Sequence, residues 1–103
     1  MENASKEINK NCPQMVDSVT RLDNTLVISG KIIYYNYTYI NKDTFEINMD
    51  ELKKNLYENI LNNIKTNPNL KLYRENDVTF NYYYKDEYGN FLMEIEILPE
   101  QYK

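Results

Sequence analysis

Two runs of alternating aromatic residues, Ile32-Ile33-Tyr34-Tyr35-Asn36-Tyr37-Thr38-Tyr39-Ile40 and Val78-Thr79-Phe80-Asn81-Tyr82-Tyr83-Tyr84, constrain this chain more than any other feature. Seven of its eleven tyrosines fall within them. β-Branched and aromatic side chains suit a pleated, half-buried surface, so both runs read as strands and require a sheet. In the first, Ile33, Tyr35, Tyr37 and Tyr39 share one face, and Ile32, Tyr34, Asn36, Thr38 and Ile40 share the other. Apolar mass on both faces marks a central or doubly covered strand, or one whose second face meets a partner.

The remaining elements follow from the same periodicities. Asp17 to Ser29 is extended but irregular, with Asp23-Asn24 marking a bulge or bend. Ser29-Gly30-Lys31 supplies a tight turn into a strand from Lys31 to about Asn41. Asn48 to Thr66 is the clearest helix: Met49, Leu52, Leu56, Ile60 and Ile64 form an apolar stripe, and Asn48 with Glu51 resembles a capping box. Asn67-Pro68 stops it, and a short helical turn follows to about Arg74. Val78–Lys85 and Phe91–Leu98 then form a second hairpin around Asp86-Glu87-Tyr88-Gly89-Asn90. In its last strand Phe91, Met93, Ile95 and Ile97 face one way while Glu94 and Glu96 face water.

The expected fold is α+β: a four-stranded, mainly antiparallel sheet in hairpin–helix–hairpin (ββαββ) order, with one long helix packed on one face. The 103 residues are expected to form a single domain, 1–103, whose polar segment 1–14 carries a short helix over about Ala4–Asn11. A chain of this size buries enough surface to fold without a metal or disulfide staple.

Composition excludes more functions than it suggests. The chain has no histidine, which removes the commonest general base and metal ligand. Its serines at positions 5, 18 and 29 sit in no nucleophile elbow, and no glycine-rich phosphate loop exists. Cys12 is the only cysteine, so no internal disulfide forms, and it reads as a small hydrophobe. No catalytic residue, metal site or cofactor is implied. A net charge of −4 with scattered lysines weighs against nucleic acid, and no apolar run is long enough for membrane insertion. The start has no basic, apolar signal pattern. Two compartments stay open: a mature exported form with its signal peptide removed, or the cytoplasm.

The expected function is therefore binding without catalysis, to a protein partner (self or other), through a tyrosine-rich sheet face or its edge. Tyr34 and Tyr83 lie opposite the better core faces and are the candidate anchors. Arg21 with Asp23 forms either an exposed ion pair at a bend or a polar recognition patch. The rival is a carboxylate-based enzyme, for example one acting on carbohydrate. It requires two acids among Glu94, Glu96, Asp17 and Asp23 to converge in a pocket.

The opening Ile8–Asp23, with Asn9, Pro13, Val16-Asp17, Thr20 and Leu22, is followed by Tyr35-Asn36-Tyr37, Tyr82-Tyr83-Tyr84 and Asp86-Glu87-Tyr88-Gly89. This pattern resembles a group of small uncharacterised bacterial proteins, often exported, that share an Asn, a Pro, a Val-Asp-x-x-Thr-x-Leu run and two Tyr-x-Tyr strands. Some carry cysteines in the helix and near the C-terminus; this chain has none there, so a shared disulfide does not carry over. The resemblance implies no established activity and no functional residues.

Overall fold

A computed structural model describes residues 2–40 and 49–103. Both tyrosine runs are strands, β3 (Ile32–Tyr39) and β4 (Thr79–Asp86), and they lie side by side at the centre of the sheet. β2 (Thr20–Ile28) joins β3 through a tight turn in which Ser29 and Gly30 both have positive φ and Lys31 N–H donates to the Ile28 carbonyl. Positive φ at both central residues matches the right-handed twist of the flanking strands. β5 (Phe91–Ile97) pairs with β4 across the Asp86–Asn90 turn, where the Asp86 carboxylate accepts from the Tyr88 and Asn90 amides.

The α+β class holds, but two features of the expected sheet need correction. The described residues form five strands rather than four, because Gln14–Met15 adds a short β1 beside β2. The central β3–β4 pair is parallel, while its neighbours are antiparallel. The cause is topological. The long helix α2 (Met49–Thr66) lies between two adjacent strands in the chain, and parallel neighbours need such a crossover. The two hairpins therefore meet along their inner strands. The proposed cap Asn48 and the strand end at Asn41 lie outside the described residues.

Alternation puts Ile33, Tyr35, Tyr37 and Tyr39 of β3, Phe80, Tyr82 and Tyr84 of β4, and Met93, Ile95 and Ile97 of β5 on one face. The apolar stripe of α2 (Leu52, Leu56, Tyr57, Ile60, Leu61, Ile64) packs there, with Tyr73 of α3 (Lys71–Glu75) and Tyr102 of α4 (Pro99–Tyr102). Pro99 follows β5 and opens α4. Tyr102 Oη then donates to the Val78 carbonyl at 2.8 Å, and its ring meets Phe80 edge-on. Arg74 closes the C-terminus of α2 by donating to the carbonyls of Ile64 and Asn67, where a cation is favoured.

The N-terminal helix expected from the polar segment forms as α1 (Glu2–Lys10), and it completes the sheet by a side-chain device. β1 pairs only with Arg21 and Leu22, so the outward N–H and C=O of Thr25 have no strand to meet. The Asn9 amide takes both: Oδ1 accepts from the Thr25 N–H at 2.7 Å and Nδ2 donates to its carbonyl at 3.0 Å. Ser5 Oγ and Thr25 Oγ1 share a buried hydrogen bond beside it. Asn9→Ala leaves both backbone groups unpaired and is expected to destabilise the fold by about 1–3 kcal/mol. Urea unfolding checks this; an unchanged midpoint would show that the clamp carries no weight.

Candidate functional site

All described helices lie on one side, because Thr25, which holds α1, faces the same way as Tyr35, which lies over the α2 core. The other face is open among the described residues. Its rows follow from register. Ile28 and Ile32 lead to Thr79; Leu26 and Tyr34 to Asn81 and Glu96; Asn24 and Asn36 to Tyr83 and Glu94. Leu26 is 52% exposed and Ile28 42%, while Tyr34, Ile32 and Tyr83 are half-buried. At the far corner Phe91, 57% exposed, lies against Tyr83 with ring centroids 5.3 Å apart. The result is an aliphatic and aromatic band with an acidic margin at β5.

Tyr34 and Tyr83 both sit on this open face, but not as neighbours: Tyr34 registers with Asn81, and Tyr83 with Asn36. Arg21 and Asp23 lie at the opposite end of the face from Ile28. Asp23 is the residue at which the β2–β3 register shifts, so its side chain swings over the sheet. There it receives Arg21 Nε at 2.6 Å and Thr38 Oγ1 at 2.5 Å, with Lys85 Nζ 4.0 Å away. A carboxylate so engaged fixes the bulge and roofs the buried Thr38. The four candidate residues thus share a face, but only Arg21 and Asp23 are brought together.

The feature that sequence reasoning missed is Asn81. It is only 3% exposed in the row of Tyr34, and its Nδ2 donates to Glu94 at 3.3 Å. Its Oδ1 is enclosed and accepts from no described group. The signal was present: a lone Asn between Phe80 and Tyr82 in a strand reading as core.

The carboxylates proposed for catalysis are engaged separately. Asp17 Oδ1 accepts from the Val19 and Thr20 amides and shapes the entry to β2. Asp23 is held by Arg21 and Thr38, while Glu94 and Glu96 are exposed on the sheet rather than in a pocket. Among the described residues no cluster of three His, Cys, Asp or Glu could hold a metal. Cys12 is half-buried and its Sγ donates to the Ile8 carbonyl at 3.3 Å. Burial raises its thiol pKa, and the Asp23 charge adds to this, so it is a poor nucleophile.

On the covered face five tyrosines interleave between β3 and β4. Tyr35 stacks on Tyr82 at 4.8 Å, Tyr82 on Tyr37 at 6.3 Å, Tyr37 on Tyr84 at 4.9 Å, and Tyr84 on Tyr39 at 5.3 Å. Burial raises every one of their phenol pKa values, those of Tyr37 and Tyr39 to about 12.

Among the described residues this architecture is a mixed sheet clad by helices on one side and bare on the other. The family described as a domain of unknown function (DUF8479) matches residues 1–93, and the chain belongs to it. No curated protein matches the chain significantly. Three solved structures share the fold. A Pseudomonas aeruginosa protein provisionally described as secreted aligns with a TM-score of 0.79 at 8% identity, over 99% of this chain and 88% of that one. The pilotin EpsS of the Vibrio vulnificus type 2 secretion system gives 0.75 at 8% identity, over 98% and 86%. The Vibrio cholerae type II secretion pilotin AspS gives 0.68 at 9% identity, over 96% and 85%.

Two outcomes follow from these environments. Below roughly pH 10, where folded and unfolded chains both keep their phenols protonated, the tyrosine stack adds no pH dependence. Above it the unfolded chain loses protons that Tyr37 and Tyr39 hold until about 12, so stability falls as pH rises. Urea midpoints alongside tyrosinate absorbance check this; full titration of the tyrosines before unfolding contradicts it. Asn81→Val removes an enclosed acceptor without a partner and places a β-branched residue in a strand. It is expected to raise stability by about 1 kcal/mol, readable as a higher urea midpoint.

Proposed function

We propose that this protein is a non-enzymatic interaction domain that binds another protein through its open sheet face. The observation that carries the reading is the band of Leu26, Ile28, Tyr34, Tyr83 and Phe91, left bare among the described residues around the buried Asn81. Aromatic anchors amid aliphatic neighbours make the centre of a binding surface, and polar groups at its margin give it register. The Arg21–Asp23 pair and Lys85 form the polar end of this surface, and Glu94 and Glu96 its acidic side.

The fold neighbours support the same reading. Two are pilotins of type 2 secretion systems, which places those proteins within multi-protein secretion machinery, and a third is provisionally described as secreted. An exported location for this chain fits that company. A carboxylate enzyme has no comparable support, since its acids are held apart in separate roles. Self-association through the same face is the variant in which the partner is a second copy.

A photo-crosslinking residue at Leu26, in cells of the native source, tests the proposal against a control at Lys54 on α2. Leu26 is expected to give a discrete protein adduct that Lys54 does not. Tyr34→Ser and Tyr83→Ser should each reduce it about tenfold, the equivalent of ~1.4 kcal/mol, with a smaller loss of folding stability. An adduct of twice the chain mass identifies the partner as self. Equal adducts from both positions, or losses that track unfolding alone, overturn the proposal.

A further inference from the structure

The helix-covered side holds a second feature that protein docking on the open face does not use. Between α2 and the middle of the sheet is a cleft of about 350 Å³, floored by Tyr35, Tyr37, Tyr82 and Tyr84 and walled by Asn59 and Asn63. The four rings stack on one another, so their faces are occupied, and strand side chains stand upright from the sheet. What they offer the cleft is a row of hydroxyl groups.

Some of the other tyrosine hydroxyls are held within the protein. Tyr57 Oη accepts from Gln101 Nε2, Tyr102 Oη donates to the Val78 carbonyl, and Tyr39 bonds Thr20. The hydroxyls of Tyr35, Tyr37, Tyr82 and Tyr84 have no such partner among the described residues. Their oxygens are not sealed either, since Asn81 Oδ1 is the enclosed orphan among the described residues. A phenol hydroxyl both donates and accepts, so open hydroxyls in a half-enclosed cleft are available to a ligand that displaces their water.

The chemistry of the lining narrows the occupant. Among the described residues no charged side chain lines the cleft, and the buried phenols stay neutral at physiological pH. A charged ligand would lose hydration with no counter-charge to replace it. A volume near the lower end of ligand pockets suits a small molecule rather than a polypeptide. The side-chain amides of Asn59 and Asn63 present a donor beside an acceptor, which matches adjacent hydroxyls on one ring.

We propose that the cleft between α2 and the tyrosine row binds a small neutral carbohydrate, seated through its hydroxyl groups on Tyr35, Tyr37, Tyr82 and Tyr84 and held at the rim by Asn59 and Asn63. The site is one of binding without cleavage, with no carboxylate lining it among the described residues. It is independent of the open face.

Titrating glucose, N-acetylglucosamine and maltose into the full-length, isotope-labelled chain, followed by amide NMR shifts, tests this. A neutral sugar is expected to shift Tyr35, Tyr37, Tyr82 and Asn63 with a Kd of about 1 mM, and the anionic glucuronate to bind less well. The double variant Tyr37→Phe/Tyr84→Phe keeps both rings and removes two hydroxyls, and should weaken binding about tenfold. Asn59→Leu, exposed on the helix, should also weaken binding if the double variant fails to fold. The proposal is overturned if no neutral sugar shifts these amides, if shifts fall on the open face, or if the variants bind as the parent does. A neutral tripeptide amide that shifts the same residues where sugars do not would also overturn it.

Discussion

The parallel pairing of β3 with β4 is the constraint on which the rest of this molecule depends. Its register sets Tyr35 opposite Tyr82 and Tyr37 opposite Tyr84, which lets five rings interleave into one stack. Each aromatic pair contributes roughly 0.5–1.5 kcal/mol beyond the area it buries. The same pairing obliges the chain to cross from one strand to the next by a long connection, and that connection is α2. With α2 on the stacked side, the opposite side is left open among the described residues. One register therefore determines the core, the helix cover and the open face together.

Much of this was legible in residue order. The period of two in both tyrosine runs, the 3.6-residue stripe of α2, the turn at Ser29-Gly30, the bulge at Asp23 and the break at Pro99 each have a local physical cause, and local causes can be read along a chain. The order of strands in space cannot be read that way. A helix between two hairpins is compatible with several pairings, and the parallel centre shows only when the chain is assembled. One clue was available: a run apolar on both faces, such as Ile32–Ile40, is typical of a strand in a parallel, buried position. The strand β1 was illegible because two residues carry no periodicity. Asn9 was illegible as an edge partner because its contacts lie 16 residues away.

The candidate face shows the same division. The parity of Tyr34 and Tyr83 put them opposite the core, and they lie there; that they bind a partner is the proposal. Arg21 and Asp23 were adjacent in pattern, but the link to Thr38 and Lys85 needed the sheet. Asn81 was passed over because a single Asn among aromatics reads as a neutral interruption until its oxygen is found enclosed. Residue order left Cys12 without an imidazole partner and kept the acidic residues as a rival site. Only the assembled sheet shows that Asp17, Asp23 and Glu94 are engaged separately and that Glu96 is exposed.

The way α1 finishes the sheet has a consequence for how this chain behaves in company. A naked strand margin invites a neighbouring molecule to zip on, and repetition of that event makes fibrils. By spending one carboxamide on the Thr25 peptide, the protein blunts that margin without lengthening β1. The other margin carries alternating glutamates, whose mutual repulsion discourages lateral stacking. Contact is thereby steered away from backbone zippering and toward side chains, which can tell one visitor from another.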